Sequence, residues 1–360
     1  MSAQAQQTKL AEVKFRAQIT NQHLGKSQVF ANEPNAKEIM RLLHKRNKEA
    51  KEAFSRLKRR GIALSPYLEI GSEYCLRAAI LENRFATSGF ATDISLASLQ
   101  AAPAFCRRFK FKKTPSRICA DAYNLPFKSN SFPFVFIYET LHHFPDPGPV
   151  LKEIDRVLTP DGVCLIGADP VKQKFQLALW RRPNKLRPWE KFLKFILVLP
   201  FISHIGKTEV DYGIIEGAFD IKTWQKSLSI FDKVEVKIKT PLGFGENIAK
   251  SNKKDWLAPS PPVKITLNFL GGGLEAVCWK SKSPKSPIRK DLDGLFRASE
   301  IHGFQAVDEA DSLAKRGSKY HGLQAVSSLL ISKTNLIFYN EIRSAFYLII
   351  NSRKVLPHYS

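Results

Sequence analysis

Cysteine and long apolar runs are scarce in this 360-residue chain, and acidic residues are outnumbered. The five cysteines (Cys75, Cys106, Cys119, Cys164, Cys278) are an odd number, and none form a C-x-x-C pair. That argues against a disulfide framework and against metal ligation, and predicts small buried apolar side chains in a reducing compartment. The longest apolar run, Phe195 to Ile202, is far short of the ~20 residues that span a bilayer. Met1 to His23 is polar and lacks the apolar core of a secretory signal. These scarcities predict a cytoplasmic protein without a resident metal. With 44% hydrophobic residues, the chain is long enough for one large α/β domain with appendages.

The acidic deficit is uneven. There are 56 Lys and Arg against 33 Asp and Glu, a net charge of +23. Residues 1–60 carry 14 against 5, residues 61–170 carry 11 of each, and residues 171–360 carry the remaining 31 against 17. A neutral middle is therefore flanked by basic ends. Such flanks suit a nucleic acid, an anionic lipid surface or an acidic substrate, and equally a merely solubilising surface.

What the chain does have is an alternation of strand and helix signals after a loose start. Residues 1–35 show no sustained period and read as a loose arm. From Ala36 to Arg60, apolar residues recur at Ile39, Leu43, Ala50, Phe54 and Leu57, the spacing of an amphipathic helix, with a basic last turn before Gly61. Strands are predicted at Tyr67–Ile70, Thr87–Thr92, Arg117–Ala120, Phe134–Tyr138 and Gly162–Ala168. Helices are predicted near Leu76–Asn83, Leu96–Arg107 and Pro149–Leu158. This order predicts an α/β fold, a mostly parallel sheet with right-handed crossovers and helices on both faces. Lys233–Thr240 and Leu274–Lys280 read as an antiparallel pair completing the sheet. Ser281 to Pro287 reads as a linker within 281–290, and residues 291–360 carry no motif that assigns them a role.

Four strand ends bear polar residues suited to a nucleoside. Tyr67-Leu68-Glu69-Ile70-Gly71 is an apolar run that ends in an acid and turns on glycine, as a buried parallel strand does where it meets a ligand. Asp93 follows Gly71 by 22 residues, close to the ~20-residue spacing at which an acid meets ribose hydroxyls. Asp121 follows the third strand, placed to accept from an adenine amino group. The fourth strand runs into Tyr138-Glu139-Thr140-Leu141-His142-His143-Phe144. A lone Asp after a strand is most often a turn or cap residue; four aligned strand ends favour the ligand.

Together, Asp121-Ala122-Tyr123-Asn124-Leu125-Pro126-Phe127, Ser131-Phe132, Glu139 to Phe144, Pro145-Asp146-Pro147 and Leu151 to Gly162 resemble the class I methyltransferases of the type 11 family. That family includes the quinone-biosynthesis C-methyltransferases. The resemblance runs from Leu68 to Gly167. It implies a seven-stranded Rossmann-like sheet and S-adenosylmethionine as cofactor, within a methyltransferase domain at 36–280 whose cofactor core is 67–170. Carried over by position, Gly71 would face the methionine moiety, Asp93 and Ile94 the ribose, and Asp121 with Ala122 the adenine. Tyr138 would line the transfer crevice, with Glu69 and Glu73 beside the cofactor.

The departures matter equally. The family's later glycines are replaced by Glu73 and Cys75, whose Cβ atoms narrow the approach of backbone to ligand. The Glu73 carboxylate either meets the cofactor's ammonium or repels its carboxylate. Pro133 stands where the family commonly has an acid. His142 and His143 are candidate general bases for the acceptor, though residues at a helix start more often pack or cap.

The insertion 171–230 is the expected substrate cover. A helix from Trp189 onward would put Phe192, Phe195, Ile196 and Leu199 on one face, with Lys191 and Lys194 at its edge. Such a segment suits either a lid on an acceptor pocket or an interfacial helix on an anionic membrane. The reading adopted is a lid, with any membrane contact peripheral. The implied function is methyl transfer to a small-molecule or lipid-like acceptor. Alternatives are a cofactor-binding protein that no longer transfers methyl groups and, last, an RNA methyltransferase. No RNA-binding module accompanies the basic flanks, so nucleic acid is not the expected partner. Oligomeric state is left open.

Overall fold

The computed structural model describes residues 3–182, 186–206, 208–281 and 349–350. Two helices precede the sheet, α1 (Ala3–His23) and α2 (Ala36–Arg59). The periodic stretch at α2 folds as its sequence predicts. Asn35 caps it, accepting from Lys37 and Glu38 N–H groups, while Glu38 reaches back to the Asn35 N–H. Ile39, Leu43, Ala50, Phe54 and Leu57 are buried.

The expected loose arm is instead the helix α1. Phe15 and Ile19 are its buried apolar residues, packed with Phe30 and Ile214 and joined by half-buried Ala11, which is too sparse for a visible period. Buried polar side chains do the rest. Thr20 Oγ1 lies 3.3 Å from Ser98 Oγ, and His23 Nδ1 lies 2.6 Å from Tyr74 Oη. The buried Gln22 amide donates to the Phe30, Glu33 and Pro34 carbonyls and accepts from the Val29 and Phe30 N–H groups. One side chain thus shapes the loop that follows.

The core is built from β1 (Tyr67–Ile70), α3 (Leu76–Arg84), β2 (Gly89–Asp93), α4 (Leu96–Arg108), β3 (Ser116–Cys119), β4 (Phe132–Tyr138), α5 (Gly148–Val157) and β5 (Leu158–Val171). These five strands are parallel, with Tyr67 opposite both Gly89 and Phe134. Beyond β5 come β6 (Trp180–Arg182), α6 (Pro188–Phe195), α7 (Leu199–Ile202), β7 (Ser203–Ile205), α8 (Thr208–Asp211) and α9 (Ile221–Leu228). The chain then returns through β8 (Lys233–Lys239), β9 (Gly245–Ala249), α10 (Pro261–Leu270) and β10 (Gly272–Trp279). The sheet order is β3-β2-β1-β4-β5-β10-β8-β9, with a two-residue strand, β11 (Ile349–Ile350), beside β3.

The expected seven strands are therefore eight between Tyr67 and Trp279, plus β11. β9 is the addition: its residues alternate exposed and half-buried, and with Ile248 alone set against the core this edge strand left little apolar signal. β8 and β10 do pair antiparallel, and β10 joins β5. The linker and nearly all of the tail, 282–348 and 351–360, lie outside the described residues.

Alternation along the strands sends side chains to two cores. Leu68, Ile70, Val135 and Ile137 pack with α5, α9 and α10 on one face. Tyr67, Phe134 and Phe136 pack with Phe54 and Leu57 of α2 and with α3 on the other. Strand order reverses between β1 and β4, so a crevice opens at their carboxyl ends.

The continuous helix expected from Trp189 onward is broken. α6 stops at Phe195, Leu197 takes a left-handed φ of 63°, and α7 restarts at Leu199. Pro200 cannot donate to a carbonyl four residues back and its ring would clash there, so the two pieces separate.

Candidate active site

A cavity of about 440 Å³ occupies the crevice, within the ~300–1,000 Å³ range of small-molecule sites. Gly71, Glu73, Asp93, Ile94, Asp121, Ala122, Tyr138, His142 and His143 all line it. Glu69 does not. Its side chain is on the opposite face of β1 from Leu68 and Ile70, is 1% exposed, and accepts from the Ala78 N–H at the start of α3. Burial raises its carboxyl to about 8, partly offset by Arg77 and that N–H.

The loop after β1 explains the replaced glycines. Gly71 has φ 67°, and a Cβ there would collide with the Thr140 side chain. Glu73 and Cys75 have φ 49° and 56°, so the backbone keeps glycine-like conformations despite carrying side chains, at about 1–2 kcal/mol each. The Glu73 N–H donates to Asp93 Oδ2 and the Ser95 N–H to Oδ1, each at 2.8 Å. Each oxygen keeps a further acceptor direction. Burial lifts Asp93 to about 6 against those two hydrogen bonds.

Asp121 accepts from the Tyr123 N–H at 3.0 Å and is ion-paired with Lys9 of α1. Lys9 also sits 4.8 Å above the Tyr123 ring. Tyr138 lies under the Arg77 guanidinium, 4.7 Å away, and its buried hydroxyl has no hydrogen-bond partner. Burial pushes that phenol up. Arg77 donates to Glu139 Oε2 at 2.8 Å, and Arg46 Nε lies 2.9 Å from the same oxygen. The buried Arg77 Nε has no partner.

At the other end, a short turn at Leu141–His143 meets the end of β5. His142 Nδ1 lies 2.9 Å from Asp169 Oδ1, and the His142 N–H donates to that oxygen at 3.2 Å. His142 Nε2 is 3.6 Å, and His143 Nδ1 3.3 Å, from Glu216 Oε1. His143 Nδ1 is 3.2 Å from the Ile215 carbonyl, and its Nε2 3.5 Å from Arg16 Nη2. Burial opposes charge on His142, but Asp169 and Glu216 outweigh it and hold the imidazole up at about 9. Burial, with Arg16 and His142 nearby, drives His143 down to about 4. Two adjacent histidines are thus pushed apart in protonation. His142, His143 and Glu216 also bring three ligand-type atoms within 4.8 Å of one another. Those atoms already form a hydrogen-bonded chain to Asp169 and Ile215, so we read them as proton-handling groups.

Residues 68–166 match the family model described as "Methyltransferase domain". That match covers, to within one residue, the same stretch as the resemblance read from the sequence, Leu68 to Gly167. This chain is 30% identical over 129 residues to the demethylmenaquinone methyltransferase of Staphylococcus haemolyticus, 34% of this chain and 49% of that protein. It is 47% identical over 134 residues to the corresponding protein of Staphylococcus epidermidis, 36% and 48% of the two chains. Over 95 residues it is 37% identical to the malonyl-[acyl-carrier protein] O-methyltransferase of Alcanivorax borkumensis, 26% and 31% of the two chains. This chain spans about half the length of the Staphylococcus relatives it matches.

Several residues of the site escaped sequence reasoning. Asp169, buried behind His142 rather than on the cavity wall, was within reach, being a fifth acidic strand end under the same rule that found Asp93. Arg46 and Arg77 had no signal, because basic residues on helices are commonplace. Lys9, Glu12, Arg16, Glu209 and Glu216 come from segments without a period. The expected lid fails in part: Glu209, Ile215 and Glu216 line the cavity, but Phe192, Phe195 and Ile196 do not.

Proposed function

We propose that this protein transfers a methyl group from S-adenosylmethionine to a small-molecule or lipid-like acceptor. The observation that carries the reading is that Asp93, Asp121, Tyr138 and the two histidines, far apart in sequence, line one cavity. The residues suit the cofactor. The lining holds eight carboxylates against four Lys and Arg, which favours a cation and disfavours the phosphates of an RNA. Asp93 would take the ribose and Asp121 the adenine amino group. Arg77, with its orphaned buried Nε, would take the cofactor's carboxylate, and Glu73 with Glu139 would meet its ammonium. When bound, S-adenosylmethionine supplies an activated methyl group.

The chain's part is then to orient and to move one proton. Neutral His143 would accept a proton from the acceptor at Nε2, the ring nitrogen that Arg16 Nη2 approaches at 3.5 Å and would have to yield. Cationic His142, held by Asp169 and Glu216, steadies the negative charge that this leaves on the acceptor. Aligning donor and acceptor in a closed cavity can supply roughly 7–11 kcal/mol. Titration calorimetry with S-adenosylmethionine and S-adenosylhomocysteine tests the cofactor half; absence of binding at millimolar ligand overturns it. Transfer of labelled methyl from the cofactor into extracts containing quinols and phenolic lipids tests the acceptor half. Binding without turnover would instead favour a cofactor-binding protein, a reading supported by the strained Glu73–Cys75 loop.

A further inference from the structure

Away from the crevice, residues 171–207 carry nine Lys and Arg and a single acid, Glu190. Glu190 is 1% exposed and its carboxylate accepts from the Arg187 N–H at the start of α6. Among the described residues, the charged side chains that this stretch turns to solvent are therefore all cationic. Interleaved with them are large apolar side chains left in water. Leu179 is 68% exposed, Trp189 46%, Phe192 63%, Phe195 82% and Ile196 44%. Phe195 is the most exposed large apolar side chain among the described residues. Large apolar side chains exposed together on one helix and its flanks mark a docking surface. None of these five lines the cavity, so closing the crevice does not account for them.

We propose that α6 and its flanks dock on an anionic lipid bilayer. Trp189, Phe192, Phe195 and Ile196 would enter the headgroup boundary, with Lys191 and Lys194 against lipid phosphates. Aromatic and apolar insertion combined with a basic rim is what reversible attachment requires, since neither signal suffices alone. Asp211 of α8 pairs with Arg181, but α6 itself exposes no acid, which fits an anionic surface better than a protein partner of mixed charge. No described helix is long and apolar enough to cross a membrane, so attachment is to one leaflet. The insertion leaves the sheet at the carboxyl end of β5, the end where the crevice opens, so docking would bring the cavity to the lipid surface. Docking does not depend on which acceptor is methylated, or on whether one is.

Co-sedimentation of the full chain with phosphatidylcholine vesicles, with and without phosphatidylglycerol, tests this directly. The anionic vesicles should retain the protein, the neutral ones far less, and added salt should release it. Phe192→Glu with Phe195→Glu should abolish retention. Lys191→Glu with Lys194→Glu should lower it about tenfold or more. Both variants should keep the wild-type thermal midpoint, because the substituted side chains are solvent-exposed. Equal retention on neutral vesicles, or variants that bind as wild type, would overturn the proposal. So would a wild-type dimer that the Phe variants dissociate while no vesicles are bound, which would assign the face to a second copy of the chain.

Discussion

At the proposed cofactor end of the crevice, Asp93 and Asp121 stand at or just past strand ends and accept from backbone N–H groups of the adjoining loops. At the proposed acceptor end, His142, His143, Asp169 and Glu216 are held chiefly by one another. The first end inherits its geometry from the sheet. The second depends on side chains from the turn after β4, the end of β5 and the loop after α8. A site of the first kind tolerates change around it, while one of the second kind fails when any member is removed.

Breaking the acceptor end should have the largest effect. Asp169→Asn and His143→Ala are each expected to lower turnover roughly 10²-fold or more. Cofactor affinity should stay within a few-fold, as measured by calorimetry beside the methyl-transfer assay. Equal losses of affinity and turnover would mean that the two ends are not separable. Next in size is the cofactor end: Asp93→Ala should cost about 1.5–3 kcal/mol of S-adenosylmethionine binding. Asp121→Ala should cost less, because Lys9 already competes for that carboxylate. Unaltered affinity in the Asp93 variant would leave that residue as a loop staple for Glu73 and Ser95.

The two histidines should also show opposite signs in stability against pH. His142 is raised from 6.5 to about 9, so its contribution is complete below 6.5 and fades as pH rises through 9. His143 is lowered to about 4, so its contribution is complete above 6.5 and fades as pH falls toward 4. Urea unfolding of His142→Gln should lose less stability between pH 6.5 and 9 than wild type does. Identical slopes would mean that Asp169 and Glu216 do not hold the proton there. The smallest expected effect is at Lys9. Lys9→Ala removes a partly exposed ion pair of ~0.2–1 kcal/mol, and should tighten cofactor binding by no more than about fivefold. Weaker binding would show that Lys9 helps to hold the ligand.

The same contrast decides what was legible in the sequence. Strand ends advertise themselves, because an apolar run stopping at an acid is a local signal; Asp93 and Asp121 were found that way. The helix α2 was visible from its period, and β8 and β10 from theirs. α1 was not, because its burial rests on Thr20, Gln22 and His23, residues that read as solvent-facing. Glu69 was misplaced because an acid closing a strand and an acid capping the next helix look alike until the pleat is known. The part of the insertion that lines the cavity, Glu209, Ile215 and Glu216, is not its apolar helix, because apolar residues at helical spacing do not say whether they face a cavity or water, and Pro200 divides the segment that carries them.

Gln22 deserves a different reading once the loop after α1 is seen from the side of the chain it organises. All five of its hydrogen bonds go to backbone groups of residues 29–34. The shape of that loop is therefore stored outside the loop. From within the loop, Phe30 is buried and the Gln28 amide adds one further hydrogen bond, to the Phe30 carbonyl. Grafting the loop onto another scaffold would not carry its shape unless the glutamine travelled with it. Glu33, which lines the crevice, therefore owes its place to a residue eleven positions earlier in the chain.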